Sequence, residues 1–412
     1  MKPEKLVGRF IYFDFNMNFM RIAIFTDTFL PNIDGVVTTI TNLAKNLADR
    51  GHKIYIIAPR YDDKECFFYR NVKVLRVKSI PIPSYPDYKI TSFLNYTILK
   101  KLKKEKIDLI HSHSPFTFGM LGLIIAKLLK VPVIGNFHTN NADPDYLKHI
   151  KMNNRLMQNS VLGLQRFYYN KCDLIICPSN SIKKDLVKNG FKKNILVISN
   201  GVDLQQFNKH KNRKKRINKE NKVLFIGRIA HEKNILYLID CFYLVSRKLP
   251  RVKFMIIGDG PQKDEVEKKI ALLKMKDKIL LLGKMEHDKL IKSPVFDECK
   301  IFATASITET QGISLLEAQA NGIVGVGVDA NGTKDLIKNN YNGFLVRLNN
   351  KKQFAEKIVT LFLDKKIYEN MRKNTLKEVK KHELGNIIEV YEKTYYSLLE
   401  KKNGRYNNGK NH

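Results

Sequence analysis

Short, almost wholly apolar runs alternate along this chain with longer segments whose apolar residues recur at helical spacing. The first run, Arg21–Phe25, is followed by a loop over 26–35 containing Pro31 and Gly35. Residues 36–50 come next, with Ile40, Leu43, Ala44 and Leu47 on one helical face. Gly51 ends that helix and a second strand is predicted over 54–58. The rhythm continues through strands over Val72–Val77, Leu109–Ser112, 133–137 and 174–178, with a helix over 118–130. Strands apolar along their whole length, alternating with helices, predict a parallel sheet covered on both faces. Ligands then bind beyond the carboxyl ends of the strands.

A second strand and helix series begins with Val223-Leu224-Phe225-Ile226-Gly227-Arg228. Further strands are predicted over 254–257, 279–282, 300–305, 325–328 and 344–346, and helix over most of 351–401. The organisation read from this is an extension over 1–19, a first domain over 20–205 and a basic linker over 206–222. A second domain covers 223–385, a helix over 386–403 packs back on the first domain, and a polar tail occupies 404–412. The fold class is α/β, with two Rossmann-like domains.

Composition narrows the partners. Lys and Arg number 73 against 40 Asp and Glu, a formal charge of +33, which favours nucleic acid, an acidic membrane face or a phosphorylated substrate. A basic nucleic-acid-binding protein needs a compact basic face with aromatic stacking platforms, and the sequence shows only dispersed Lys, so no nucleic-acid partner is expected. Five cysteines form no CxxC pair, which fits a reducing cytosol. The longest apolar stretch, over 120–129, falls short of the roughly 18 residues a membrane span needs. It reads as a buried helix.

The candidate chemistry lies at strand ends. Ser306-Ile307-Thr308-Glu309-Thr310-Gln311-Gly312-Ile313-Ser314 leads from a strand into a helix over 314–320, gathering free N–H groups and a positive dipole end at Gly312. Glu309 and Glu317 bracket that turn, either as ligands for sugar hydroxyls or as a cap and a surface carboxylate. Arg228 and Lys233 flank another strand-to-helix turn, where two cations can grip a diphosphate. His138 follows the strand over 133–137 among polar neighbours and can hydrogen-bond a sugar hydroxyl. His111 and His113 have no third ligand nearby, and Asp143-Pro144-Asp145 reads as a turn, so no metal site is expected. Over 91–106 the apolar residues Ile98 and Leu102 share one helical face, and Lys100, Lys101, Lys103 and Lys104 crowd the other. That segment either lies on an anionic bilayer or packs on the sheet as an ordinary crossover helix.

These motifs, in this order, resemble the retaining glycosyltransferases of family 4, whose GT-B architecture sets two Rossmann-like domains across a cleft. The resemblance runs from Met20 to about Leu399. It includes Gly227-Arg228 through Glu232-Lys233-Asn234, Asn200-Gly201-Val202-Asp203, Gly258-Asp259-Gly260-Pro261 and the Glu309/Glu317 pair around Gly312. It implies that Arg228 and Lys233 bind a donor diphosphate, Glu317 the ribose and Glu309 the transferred sugar. By the same resemblance the amides of Gly312, Ile313 and Ser314 meet sugar or phosphate, and Gly35 lies in a diphosphate loop. His138 stands near the reaction centre, and Met285 offers its backbone to the base.

Within the family, Thr308-Glu309-Thr310-Gln311-Gly312 and Pro31-Asn32-Ile33-Asp34-Gly35 are most similar to the branch that glucosylates diacylglycerol. The implied reaction is transfer of glucose from UDP-glucose to that lipid at the cytoplasmic face of the membrane, without a metal or other cofactor. Another donor, GDP-mannose or UDP-galactose, or a non-lipid acceptor is the alternative. The loop over 140–149 and Val324, where proline is common, depart from the branch's pattern.

Overall fold

A computed structural model describes residues 19–32, 34–61, 67–82, 85–139, 154–208 and 221–408. The loop over 140–149, Asp143 and Asp145 with it, and most of the basic linker and of the extension lie outside the described residues. The first unit contains β1 (Arg21–Phe25), β2 (Lys53–Pro59), β3 (Val72–Val77), β4 (Ile80–Ile82), β5 (Tyr85–Ile90), β6 (Leu109–Ser112), β7 (Val133–Asn136), β8 (Leu174–Cys177) and β9 (Ile195–Val197). Seven of these form one sheet in the order β3-β2-β1-β6-β7-β8-β9, parallel at every pairing, while β4 and β5 pair as a separate antiparallel ribbon. The second unit holds β10 (Lys222–Ile226), β11 (Lys253–Ile257), β12 (Ile279–Leu281), β13 (Ile301–Thr304), β14 (Val324–Val328) and β15 (Gly343–Val346). They are ordered β12-β11-β10-β13-β14-β15, again all parallel.

Period-two alternation explains why both faces of each sheet are covered. Along β1, Ala23 and Phe25 enter one core while Ile22 and Ile24 enter another. Along β10, Val223 and Phe225 face one cluster and Leu224 the opposite one. Strand order reverses between β1 and β6 and between β10 and β13, so each unit has a crevice at that switch point. The segments leaving β1, β10 and β13 are those in which the sequence places Gly35, Arg228 with Lys233, and Glu309 with Gly312.

The last helix, Leu384–Asn408, belongs by sequence to the far end of the chain yet fills the core of the first unit. Leu384, Ile387, Ile388, Tyr391 and Tyr395 share a cluster with Met20, Ile22 and Ile24. Glu392 holds it there, meeting His52 Nε2 at 2.7 Å and Arg50 at 2.8 Å. The helix continues past Gly404, where polar composition predicts a tail. The two passages of chain between the units are tied together where Val202 N donates to His382 O at 2.8 Å and Leu384 N to Val202 O at 3.0 Å.

Candidate active site

The second unit's half of the site is assembled from three strand ends. After β10, Gly227 lies against Gly258, whose φ of +150° and 1.8 Å clearance from a Cβ to the Gly227 carbonyl oxygen admit only glycine. Ile229 N then donates to Asp259 O at 2.9 Å, which brings the Gly-Asp-Gly-Pro turn beside the Arg228 turn. Arg228 is half-buried there. His231–Lys233 forms one 3-10 turn, and Asn234, left-handed at φ 55°, redirects the chain into the helix Ile235–Lys248. Ile307 N donates to Glu232 O at 3.3 Å, joining this turn to the loop after β13. Lys233 Nζ consequently forms an ion pair with Glu309.

Gly312 caps the helix Ile313–Ala320. A Cβ on Gly312 would meet nothing nearer than the Leu315 Cβ at 3.6 Å, so the protein leaves that approach open. Gly35 opens the helix Gly35–Asp49 in the first unit, and its own missing Cβ would stand 3.4 Å from Ile313 Cδ1. The N-termini of two helices, one from each unit, therefore converge on one gap, and both dipoles present positive ends to it. Ser314 lies in the first turn of the second helix, half-buried.

Glu317, about one turn further along, is buried and its Oε1 meets His287 Nε2 at 2.6 Å. The hydrogen bond and charge of Glu317 raise the imidazole's pKa above its ordinary value, more than burial lowers it. Both residues line a cavity of about 420 Å³ between the units, with Ile313, Thr38, Asn200 and Asp203. That volume is in the range of small-molecule sites. The Met285 side chain packs into the core beneath, while Glu286, His287 and Asp288 line the cavity.

The loop after β13 also reaches the first unit. Thr310 Oγ1 donates to the His138 carbonyl at 2.7 Å, Gln311 Oε1 accepts from Asn200 N at 2.6 Å, and Gln311 Nε2 donates to Ser199 Oγ at 2.6 Å. Ser181 and Asp335 form a further contact between the units. His138 is thereby held next to the residue following Glu309. Its Nε2 lies 2.7 Å from His113 Nδ1 and 2.9 Å from Asn136 Nδ2. Burial pushes the pKa of His138 down to about 4 and that of His111 to about 3, and lowers that of His113 well below the usual value. Asp27, buried beside this group, is pushed up to about 7 by loss of solvent, although the Phe118 amide donates to it at 3.1 Å.

The structure thus links these residues by contacts, Lys233 with Glu309, Gly35 against Ile313 beside Gly312 and Ser314, and Thr310 with His138, while Ile313 and Glu317 line the cavity and His138 lines a separate, smaller one. The lysine-rich segment stands apart. In the helix Tyr96–Lys104, Ile98 and Leu102 are buried in the first unit's core, so the crossover-helix alternative describes it and its apolar face is not available to a bilayer. Lys100, Lys101, Lys103 and Lys104 are exposed, and Phe93, Leu94 and Tyr96 at its start are 52%, 71% and 77% exposed. His287, Asn136, Thr310 and Gln311 have no role in the sequence reading. His287 had a signal in its position shortly after the end of a strand, whereas the others act through contacts between distant segments. Among the described residues no group of His, Cys, Asp and Glu is placed to hold a metal ion, and no helix is long and apolar enough to cross a membrane.

Residues 33–206 match the family described as Glycosyltransferase Family 4, and residues 206–378 match Glycosyl transferases group 1. The alpha-monoglucosyldiacylglycerol synthase of Streptococcus pneumoniae is 30% identical over 313 residues, 74% of this chain and 70% of that protein. The synthase of the same name from Acholeplasma laidlawii is 27% identical over 405 residues, 94% of this chain and 100% of that one. Among solved structures, HepE of Anabaena in complex with UDP-glucose superposes with a TM-score of 0.70 at 18% identity, covering 92% of this chain and 100% of HepE. With its two parallel-sheet units, its cleft and these relatives, the chain belongs to glycosyltransferase family 4 and has the GT-B fold.

Proposed function

We propose that this glycosyltransferase moves glucose from UDP-glucose to diacylglycerol, with retention, at the cytoplasmic face of the cell membrane. The observation that carries the reading is the gap onto which the helices beginning at Gly35 and Ile313 converge, with Lys233 at its edge. A diphosphate seated there meets two positive dipole ends and takes Lys233 from Glu309, while Arg228 adds a second cation. Glu309, released from its ion pair, turns to the hydroxyls of the sugar. Glu317 accepts from the ribose hydroxyls once it parts from His287, and the 285–288 segment lies against the base. His138, in the first unit, faces the sugar from the other side.

As the bond from the sugar's anomeric carbon to the phosphate oxygen breaks, positive charge grows on the ring and negative charge on the leaving diphosphate. Arg228, Lys233 and the helix ends stabilise the second, so no metal is needed. The acceptor hydroxyl attacks the same face, and its proton passes to the departing phosphate oxygen. Retention follows without a covalent enzyme intermediate. The exposed Lys100, Lys101, Lys103 and Lys104, beside Phe93, Leu94 and Tyr96, offer an anionic membrane a charged face with an apolar edge. The names of the two bacterial synthases support the lipid acceptor.

The test is incubation of the purified chain with a panel of nucleotide sugars, with anionic vesicles containing diacylglycerol, and with or without EDTA. The expected product is an α-glucosyl lipid formed from UDP-glucose and insensitive to the chelator. A glycosylated product only on soluble acceptors would remove the lipid reading.

A further inference from the structure

Behind His138 stands a connected group of buried polar side chains, one of which, Tyr391, also lines the cavity between the units. His113 Nδ1 and Asn136 Nδ2 both approach the same atom, His138 Nε2, at 2.7 and 2.9 Å. The His113 and His138 rings meet edge to edge, with centroids 5.0 Å apart and planes at 21°, so the nitrogen-to-nitrogen contact lies nearly in the plane of both rings. Asn136 is itself held at two points. Its backbone carbonyl accepts from the Tyr169 hydroxyl at 3.0 Å, and its amide oxygen accepts from the Tyr391 hydroxyl at 3.3 Å. Tyr391 is buried on the C-terminal helix, in the core that helix shares with the first unit.

The orientation of the Asn136 amide sets the direction of each bond. The structure turns its Oδ1 to Tyr391, whose hydroxyl can donate or accept and here donates, and its NH₂ group, which can only donate, to His138. A ring nitrogen that accepts an N–H carries no proton. His138 Nε2 is therefore unprotonated, and a neutral imidazole keeps its single proton on Nδ1. His113 donates through Nδ1 to the same acceptor. Its Nε2, buried with no partner among the described residues, is then a bare acceptor rather than a stranded N–H. Neutrality of the group follows from the burial that lowers all three imidazole pKa values.

We propose that Tyr391, acting through the Asn136 amide, is a positioning residue that locks His138 in the Nδ1–H tautomer. The reaction centre is then offered an N–H donor and not a base, and a residue near the end of the chain makes that choice. The functional consequence rests on His138 facing the transferred sugar, as in the reading above. The tautomer itself does not.

The two are separated by one experiment. Nitrogen-15 NMR of the full chain labelled at histidine, with the His138 signal assigned through His138→Asn, reads the tautomer directly. At neutral pH the wild type is expected to show a protonated, pyrrole-type Nδ1 and a bare Nε2. In Tyr391→Phe the amide is free to turn, a mixture of tautomers is expected, and kcat falls about tenfold while the donor KM stays within about twofold. If that variant does not fold, Asn136→Ala takes its place with the same expectation. A protonated Nε2 in the wild type, or an unchanged His138 spectrum in the folded variant, overturns the proposal. A shifted tautomer with unchanged kcat leaves the lock standing and removes His138 from the reaction centre.

Discussion

Lys233 and His287 are each held by a carboxylate, and on the proposed reading donor binding parts both pairs. For Lys233 the partner is Glu309, so Lys233→Ala unpairs a carboxylate and, on the proposed reading, removes a diphosphate contact. The expected result is a fall in kcat/KM of about a hundredfold, with donor affinity weakened, whereas Glu309→Gln lowers kcat more than affinity. Steady-state kinetics with titration calorimetry checks both. His287 adds a pH dependence. Its pKa is raised by Glu317, so the charged pair is complete below the ordinary histidine pKa and is lost as pH rises through the raised value. On the proposed reading donor binding breaks that pair, so affinity for the nucleotide sugar is expected to rise by about threefold from pH 6 to pH 8.5. His287→Asn flattens the profile; calorimetry at the two pH values reads the difference.

Elements place these residues, and two of them carry consequences of their own. The ends of β6 and β7 bury His111, His113 and His138 as neutral rings with depressed pKa values. The unfolded chain takes up protons at these positions first, so their contribution to stability is complete above the ordinary histidine pKa. It is lost as pH falls through the depressed values, between about 6.5 and 3. The melting temperature is expected to drop steeply from pH 7 to pH 4, and His111→Gln, which cannot take the charge, to reduce that slope. The helix Tyr96–Lys104 shows how one pattern serves two surfaces, since Ile98 and Leu102 meet the periodicity of a core helix while the lysines face outward. Changing Lys100, Lys101, Lys103 and Lys104 to Ser together is expected to weaken sedimentation with anionic vesicles at least tenfold and leave donor affinity unchanged. Equal vesicle binding by the variant would dissociate this helix from the membrane.

At the scale of the molecule, the C-terminal helix links the units by covering the first unit's sheet. Glu392 is central to that attachment, because it is almost fully buried against Arg50 and the wholly buried His52. Their hydrogen bonds keep its carboxyl below the usual range, so its stabilising effect is present above the ordinary carboxylate pKa and disappears in acid as the pH falls through the lowered value. Glu392→Leu leaves the part-exposed Arg50 and the buried His52 without their shared hydrogen-bond partner and is expected to cost about 2 kcal/mol at neutral pH. Urea denaturation at pH 7 measures it. The same helix carries Tyr391 and Tyr395, the latter 2.8 Å from His111 Nδ1, so loosening it disturbs the histidine group from behind.

Hydrophobic period, strand length and strand-end chemistry are local properties, and whatever depends on them alone is legible along the chain. These are two α/β units with parallel main sheets, the strand-to-helix turns at Gly35, Arg228 and Gly312, the membership of a family whose motifs fall in order, and the shared helical face of Ile98 and Leu102. That the sheet covers this face, or that β4 and β5 pair antiparallel, is not among them. Pairings between segments far apart in the chain are not local. Folding sets Lys233 against Glu309 and His287 against Glu317, joins the two units through Thr310 and Gln311, and brings Tyr391 to Asn136. The physical reason is that a side chain's role at a cleft depends on which atom stands about 3 Å away. That atom is chosen by packing of both sheets and the returning helix, a choice no spacing within one segment encodes.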